Sequence, residues 1–229
     1  MQVTGGASVG YAGYSPALNA QLTNEVQSYE VLFQMKKESD NAARIEFNLG
    51  TNDQPVWIGN AKLVEVEGIP FNDDIPKVPL SDGNRVYNGT FSVGEADGMS
   101  YWHVVQEGKM SASASVDPNE RQLHIDVKKS SKHEDDLKLL QKGILLNAGD
   151  SYELSFDAST QPKGDVFVAL TDEAGNVYEK QKVSVSSKTQ KYHLVFKNLQ
   201  LTRDDENAQL VFYLGGVKKS MTIDNIHLR

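Results

Sequence analysis

The sequence predicts an all-β protein built as a β-sandwich, and three observations predict it. Apolar residues take every second place in short segments, turn chemistry separates those segments, and the last third of the chain repeats its first third. Period-two alternation puts one face of a strand into a core and the other into solvent. Seven or more such segments imply two sheets stacked face to face.

The repeat sets the organisation. Tyr29 and Phe33 align with Tyr192 and Phe196, both spaced Tyr-x3-Phe. After a two-residue length difference in the connecting loop, Phe47, Leu49 and Gly50 align with Phe212, Leu214 and Gly215. Without a further gap, Ile58, Asn60 and Leu63 align with Ile223, Asn225 and Leu228. Eight anchors in the same order point to duplication rather than coincidence. Residues 1–67 are therefore expected to be the C-terminal half of a module whose complete copy spans 84–229. The first copy has no counterpart for residues 84–164, which leaves a half-sandwich with one open side and unpaired edges. Its missing strands are expected from a preceding part of a precursor or from another chain; the alternative is an irregular extension packed on the complete domain. Residues 68–83 read as a linker. Pro70, Pro76 and Pro79 lie among Asp73, Asp74, Asp82 and Gly83, and proline lacks the donor that a strand ladder needs.

Within the second copy the strand segments follow in order. Leu123, Ile125 and Val127 alternate. Asp135–Lys142 fits a short helix or a strand equally, because Gly143 and the run Ile144-Leu145-Leu146 follow directly. Asn147-Ala-Gly149-Asp150 is turn chemistry, since Gly and Asn tolerate positive φ. Tyr152, Leu154 and Phe156 form the next strand, then Val166, Val168 and Leu170, closed by the turn Asp172–Asn176. Tyr192, Leu194 and Phe196, and finally Leu210, Phe212 and Leu214, complete the set. Tyr152, Phe156, Tyr192 and Phe196 share the inward period and are assigned to the core.

Composition narrows the function. The 229 residues are 39% hydrophobic and 24% charged, as in soluble globular proteins. No apolar run approaches the roughly 20 residues of a membrane helix. Met1-Gln-Val-Thr shows no signal peptide, so Met1 is read as a start inside a longer precursor. A net charge of −8 and a pI near 5.1 argue against nucleic acid and anionic membranes as partners. The absence of cysteine excludes disulfides, thiolate metal sites and cysteine nucleophiles.

Three motifs occur in order in the second copy: Tyr87-Asn88-Gly89-Thr90-Phe91 followed by Trp102, then Gly149-x-x-Tyr152-x-x-x-Phe156, then Ile223-Asp224-Asn225-Ile226-x-Leu228. On these residues, segment 86–229 resembles the carbohydrate-binding modules of the family 4/9/16/22 type, galactose-binding-like β-jelly-roll domains attached to secreted bacterial polysaccharide hydrolases. The closing half of the pattern also covers residues 29–67. The resemblance implies an extracellular, non-catalytic module that binds a polysaccharide such as β-glucan and holds a linked catalytic domain near it. Two other readings stand beside it: a structural spacer or protein-interaction jelly roll without sugar binding, and an accessory strand region that completes a glycosidase.

A sugar site needs aromatic faces for pyranose C–H surfaces and side-chain donors and acceptors for hydroxyls. Trp102, flanked by Tyr101, occupies the position that is often ligand-facing in the resembling family. Tyr213 points away from the face that buries Leu210, Phe212 and Leu214. Gln122 and His124 alternate with Leu123 and Ile125 and are expected to line the same face as Tyr213. The resemblance also implies a structural calcium held by Asp224 with groups near Asn88. The chain departs from the family pattern at Ser92, where an acidic residue is common, at Val217-Lys218-Lys219, where a second tryptophan is common, and at Gly59, the first-copy match of Asp224.

Catalytic signals are weak. Gly6-Ala-Ser8-Val-Gly10 matches a nucleophile-elbow pattern, but only five residues precede it and no α/β pattern follows. Glu134-Asp135-Asp136 and Asp204-Asp205-Glu206 are contiguous acidic runs in polar stretches and read as solvated turns. The histidines at 103, 124, 133, 193 and 227 have no zinc-type spacing.

Overall fold

Alternating apolar segments become strands because a pleated strand buries one face and solvates the other. The computed structural model describes residues 1–15, 22, 24, 26, 29, 41–50, 54–65, 76–92, 98–117 and 120–229. The anchor Phe33 and the linker residues Pro70, Asp73 and Asp74 lie outside them. The chain divides into two units, Met1–Ile69 and Pro70–Arg229. Among the described residues no helix is long and apolar enough to cross a membrane.

In the first unit, β1 (Gln2–Thr4) pairs antiparallel with β2 (Arg44–Glu46), and a single 3-10 turn covers Ala7–Val9. The Gly-x-Ser-x-Gly run thus forms that turn and opens no α-helix. The described stretch from Phe47 to Leu63 contains no strand.

Among the described residues the second unit is a two-sheet sandwich of ten strands: β3 (His103–Gln106), β4 (Ser111–Val116), β5 (Leu123–Lys129), β6 (Leu137–Leu146), β7 (Tyr152–Gln161), β8 (Gly164–Thr171), β9 (Val177–Val185), β10 (Gln190–Phe196), β11 (Asp205–Tyr213) and β12 (Ser220–Leu228). The first sheet runs β10-β7-β12-β5-β4 and the second β3-β6-β11-β8-β9, all pairs antiparallel. The segment that fitted helix or strand is a 3-10 turn at Glu134–Asp136 leading into β6. The C-terminal end of the expected linker is docked on the sandwich instead. Lys77 donates its backbone N–H to Gly143 O, and Asp82 meets the His227 ring at 3.0 Å.

The core joins the two sheets through aromatic rings. Trp102 packs between Phe91 (5.7 Å between centroids) and Phe212 (6.4 Å), Phe212 meets Phe156 edge-on at 5.2 Å, and Phe156 stacks on Tyr192 at 5.5 Å. Trp102 is only 4% exposed, and its indole N–H donates to Asn88 O at 2.9 Å. Tyr101, 2% exposed, packs edge-on against Tyr87. Both therefore depart from the expected sugar-facing role: ring faces closed inside a core cannot stack a ligand. The opening segment is tied to the second sheet by a buried amide. Gln141 accepts the Tyr87 N–H and donates to Tyr87 O, both at 2.7 Å.

β12 carries a bulge that keeps its alternation in phase. Asn225 adopts φ 51, a left-handed conformation that asparagine tolerates, so that Ile223, Ile226 and Leu228 all face the core. Asp224 lies on the outer face opposite Asp157 in the ladder. Burial raises the Asp224 carboxyl to about 7; the Asn225 backbone N–H works against that rise, and the Asp157 charge adds to it.

Two outcomes follow. Replacing Trp102 with Ala removes the middle of the aromatic stack, and chemical denaturation is expected to register a loss of about 3–5 kcal/mol; a fully stable variant would contradict the core assignment. For Asp224, the folded state retains a proton that the unfolded chain releases near pH 4. Stability then falls between about pH 4 and 7 and stays reduced above. In EDTA, Asp224→Asn is expected to melt with wild type at pH 4 and above it at pH 8, whereas parallel melting at both would contradict the raised carboxyl.

Candidate functional site

The outer face of a solvated sheet is expected to be polar, and on the second sheet it is not. Ladder register places Val105, Lys138, Tyr213, Phe167 and Lys182 in one row across β3, β6, β11, β8 and β9. The neighbouring row is His103, Leu140, Val211, Ala169 and Lys180. Leu140, Ala169, Val211 and Tyr213 form a hydrophobic cluster separate from the main core, with Val105 and Phe167 half-buried against it. The local cause is the composition of two strands. Val166-Phe-Val-Ala-Leu170 and Leu210-Val-Phe-Tyr-Leu214 are apolar at every position, so both of their faces avoid water.

Lys180 lies over the two rings of this strip. Its ammonium lies 4.1 Å from the Tyr213 ring centroid and 5.1 Å from that of Phe167, and it pairs with Glu134 on the 3-10 turn. A cation over an aromatic face contributes about 0.5–1 kcal/mol at an exposed site. With Lys180 in place, Tyr213 is 6% exposed. Burial raises the Tyr213 phenol, with Asp135 and Glu134 adding to it, so it keeps its proton at neutral pH and remains both donor and acceptor. At the sheet edge, Lys182 pairs with Asp165 at 2.6 Å and Ser184 donates to Asp165 at 2.6 Å. These contacts hold the Asp165 carboxyl below its ordinary value. The strip runs into a cavity of about 550 Å³ whose walls include Tyr213, Phe167, Glu134, Asp135, Lys163 and Lys218.

The arrangement offers adjacent aromatic rings, an apolar floor and a rim of carboxylates and ammonium groups. It suits a ligand with apolar faces and many hydroxyls. Of the residues expected from sequence, Tyr213 lies here. Gln122 and His124 do not: His124 sits on β5, opposite Ser115 and Thr222, on the outer face of the first sheet, and Gln122 directly precedes that strand. The sandwich thickness separates them from Tyr213, so they cannot line its face. Phe167, Leu140, Val211 and Lys180 were missed, although the unbroken apolar runs mark Phe167 and Val211.

The expected calcium pair, Asp224 and Asn88, draws on the closing strand and the opening segment. Gly89 packs against Ile226, so the opening segment and the closing strand do meet, and the Ile226 N–H donates to Gly89 O at 2.9 Å. The Asn88 side-chain amide, however, donates to Gly98 O and Ser100 O, both at 2.9 Å, which turns a donor inward where a cation needs oxygen. Asp224, half-buried beside Asp157, offers carboxylate oxygens that a cation would take. Among the described residues no group of three or more His, Cys, Asp or Glu side chains is placed to hold a metal.

Comparison with known proteins adds the family. A family model described as "Carbohydrate binding domain" matches residues 83–221. No curated protein matches the chain. Solved structures with a similar fold include one titled "CBM4 structure and function" (19% identity, 56% of this chain and 84% of that one, TM-score 0.49). Another is the second N-terminal cellulose-binding domain of Cellulomonas fimi β-1,4-glucanase C (21% identity, 58% and 87% covered, TM-score 0.45). A third is the apo structure titled "BiXyn10A CBM1" (12% identity, 56% and 87% covered, TM-score 0.47). The family match extends over more than half of the sequence, from the opening turn of the sandwich into its last strand: the chain belongs to the carbohydrate-binding domain family of the 4/9 type.

Proposed function

We propose that the outer face of the second sheet binds a neutral cell-wall polysaccharide, such as a β-glucan, along its length. The observation that carries this reading is the apolar strip around Tyr213 and Phe167, neighbours in one ladder row on a face that would otherwise be polar. Four strands at about 4.8 Å spacing make the strip about 14 Å long, enough for two or three sugar rings in line. Ring faces would rest on Tyr213 and Phe167. Hydroxyls would exchange bonds with the Tyr213 phenol, Lys138, Lys182, Glu134 and Asp165. Lys180 must swing off Tyr213 to admit a sugar, so its ion pair with Glu134 competes with the ligand. The chain then acts without chemistry of its own, holding a linked glycoside hydrolase near extracellular substrate and raising its effective concentration.

The experiment is affinity electrophoresis of the whole chain in gels containing β-1,3-glucan, β-1,4-glucan, mixed-linkage glucan, xylan or mannan. One polymer is expected to retard the wild type. Tyr213→Ala and Phe167→Ala should weaken that binding roughly five- to tenfold each, at on the order of 1 kcal/mol per aromatic contact. His124→Ala, on the opposite face, should match wild type. Folded protein that no polymer retards would overturn the reading in favour of a structural or protein-interaction module, for which the Lys180 cover over Tyr213 is the favouring observation.

Calcium enters as a narrower proposal. Asp224 with Asp157 would hold it, joined by backbone carbonyls, and the ion would relieve the raised Asp224 carboxyl. Millimolar calcium at pH 8 is expected to raise the melting temperature of wild type but not of Asp224→Asn. An equal effect, or none, on both proteins would remove calcium from the account.

A further inference from the structure

The two copies of the internal repeat can be compared position by position, and their environments are opposite. Phe212, Leu214, Ile223 and Leu228 are fully buried in the complete sandwich. Their first-copy matches are exposed, from 37% at Phe47 through 46% at Leu49 and 47% at Ile58 to 59% at Leu63. Four large apolar residues so close in sequence, all in water, are not what a finished surface shows.

One backbone feature is common to the two copies, and one separates them. Asn60 adopts φ 54, the left-handed conformation that Asn225 adopts at φ 51 to make the bulge of β12. Gly215 is a glycine because a Cβ there would collide with the His133 carbonyl, whereas a Cβ at the matching Gly50 would meet nothing within 4 Å. The first copy therefore keeps the left-handed asparagine and the glycine of the complete module, with open space beside that glycine.

What covers the second copy identifies what fits the first. Phe212 packs against Trp102 and Phe156, and Gly215 against His133. All three partners come from residues 84–164, the stretch for which the first copy has no counterpart. We infer that residues 41–50 and 54–65 form an acceptor surface for the opening strands of a module of the same family. Those strands would be equivalent to 84–164 here, and with them Phe47, Leu49, Ile58 and Leu63 close a second sandwich core.

The test adds those strands. A polypeptide with a second copy of residues 84–164 placed ahead of residue 1 is compared with the present chain by hydrogen exchange and tryptophan emission. Amides of residues 45–63 are expected to exchange quickly in the present chain and at least tenfold more slowly in the extended one. The added tryptophan, a copy of Trp102, should emit as a buried residue against Phe47. Phe47→Asp or Leu63→Asp in the extended chain should abolish both changes and leave the melting of residues 84–229 untouched. Protection of residues 45–63 already present without the added strands would overturn the inference, as would unchanged exchange with them.

Discussion

Val166–Leu170 of β8 and Leu210–Tyr213 of β11 are apolar on both faces, and the rest of the structure depends on that constraint. Their inward residues, Val166, Val168, Leu170, Leu210 and Phe212, supply one wall of the core and meet the first sheet through the contact of Phe212 with Phe156. Their outward residues, Phe167, Ala169, Val211 and Tyr213, cannot be satisfied by the same core. They require a second cover, and over the two rings Lys180, held by Glu134, contributes to it. A sheet that must be shielded on its outer side is a natural ligand surface, because an incoming sugar replaces a cover that the strands already need.

The same physics separates two kinds of aromatic residue. Trp102 donates its N–H to a backbone carbonyl in the core, and its ring lies between two phenylalanines, so it is a structural residue. Tyr213 has its ring on the outer face and a phenol that stays protonated at neutral pH. In the sequence the two look alike, since each is an aromatic within a mostly apolar segment. What divides them is which side of a sheet each faces, and for Trp102 no alternation exists to decide it, because it precedes β3 in a turn.

Much of the sandwich was legible because period-two alternation maps directly onto strand faces. Tyr152, Phe156 and Phe196 are core residues as their spacing required, and Tyr213 lies on the outer face as its position between Phe212 and Leu214 required. Alternation within one strand says nothing about which strands share a sheet. Grouping His124 with Tyr213 was therefore beyond it: β5 and β11 belong to different sheets. The unbroken run Val166–Leu170 carried a signal that alternation alone does not read, that both faces of the strand are covered. Asn60 and Asn225 illustrate the repeat at its most informative, since sequence alignment pairs them and the backbone independently gives both the same left-handed turn.

The central claim is that a polysaccharide sits on the outer face of the second sheet. The most direct measurement is the change in backbone amide chemical shifts of the whole chain on titration with a soluble oligosaccharide of the retarding polymer. The account predicts shifts concentrated at Phe167, Lys180, Val211 and Tyr213, with His124, Thr222 and Asp157 unmoved. Shifts centred on His124 and Thr222 instead would place the ligand on the first sheet and contradict it.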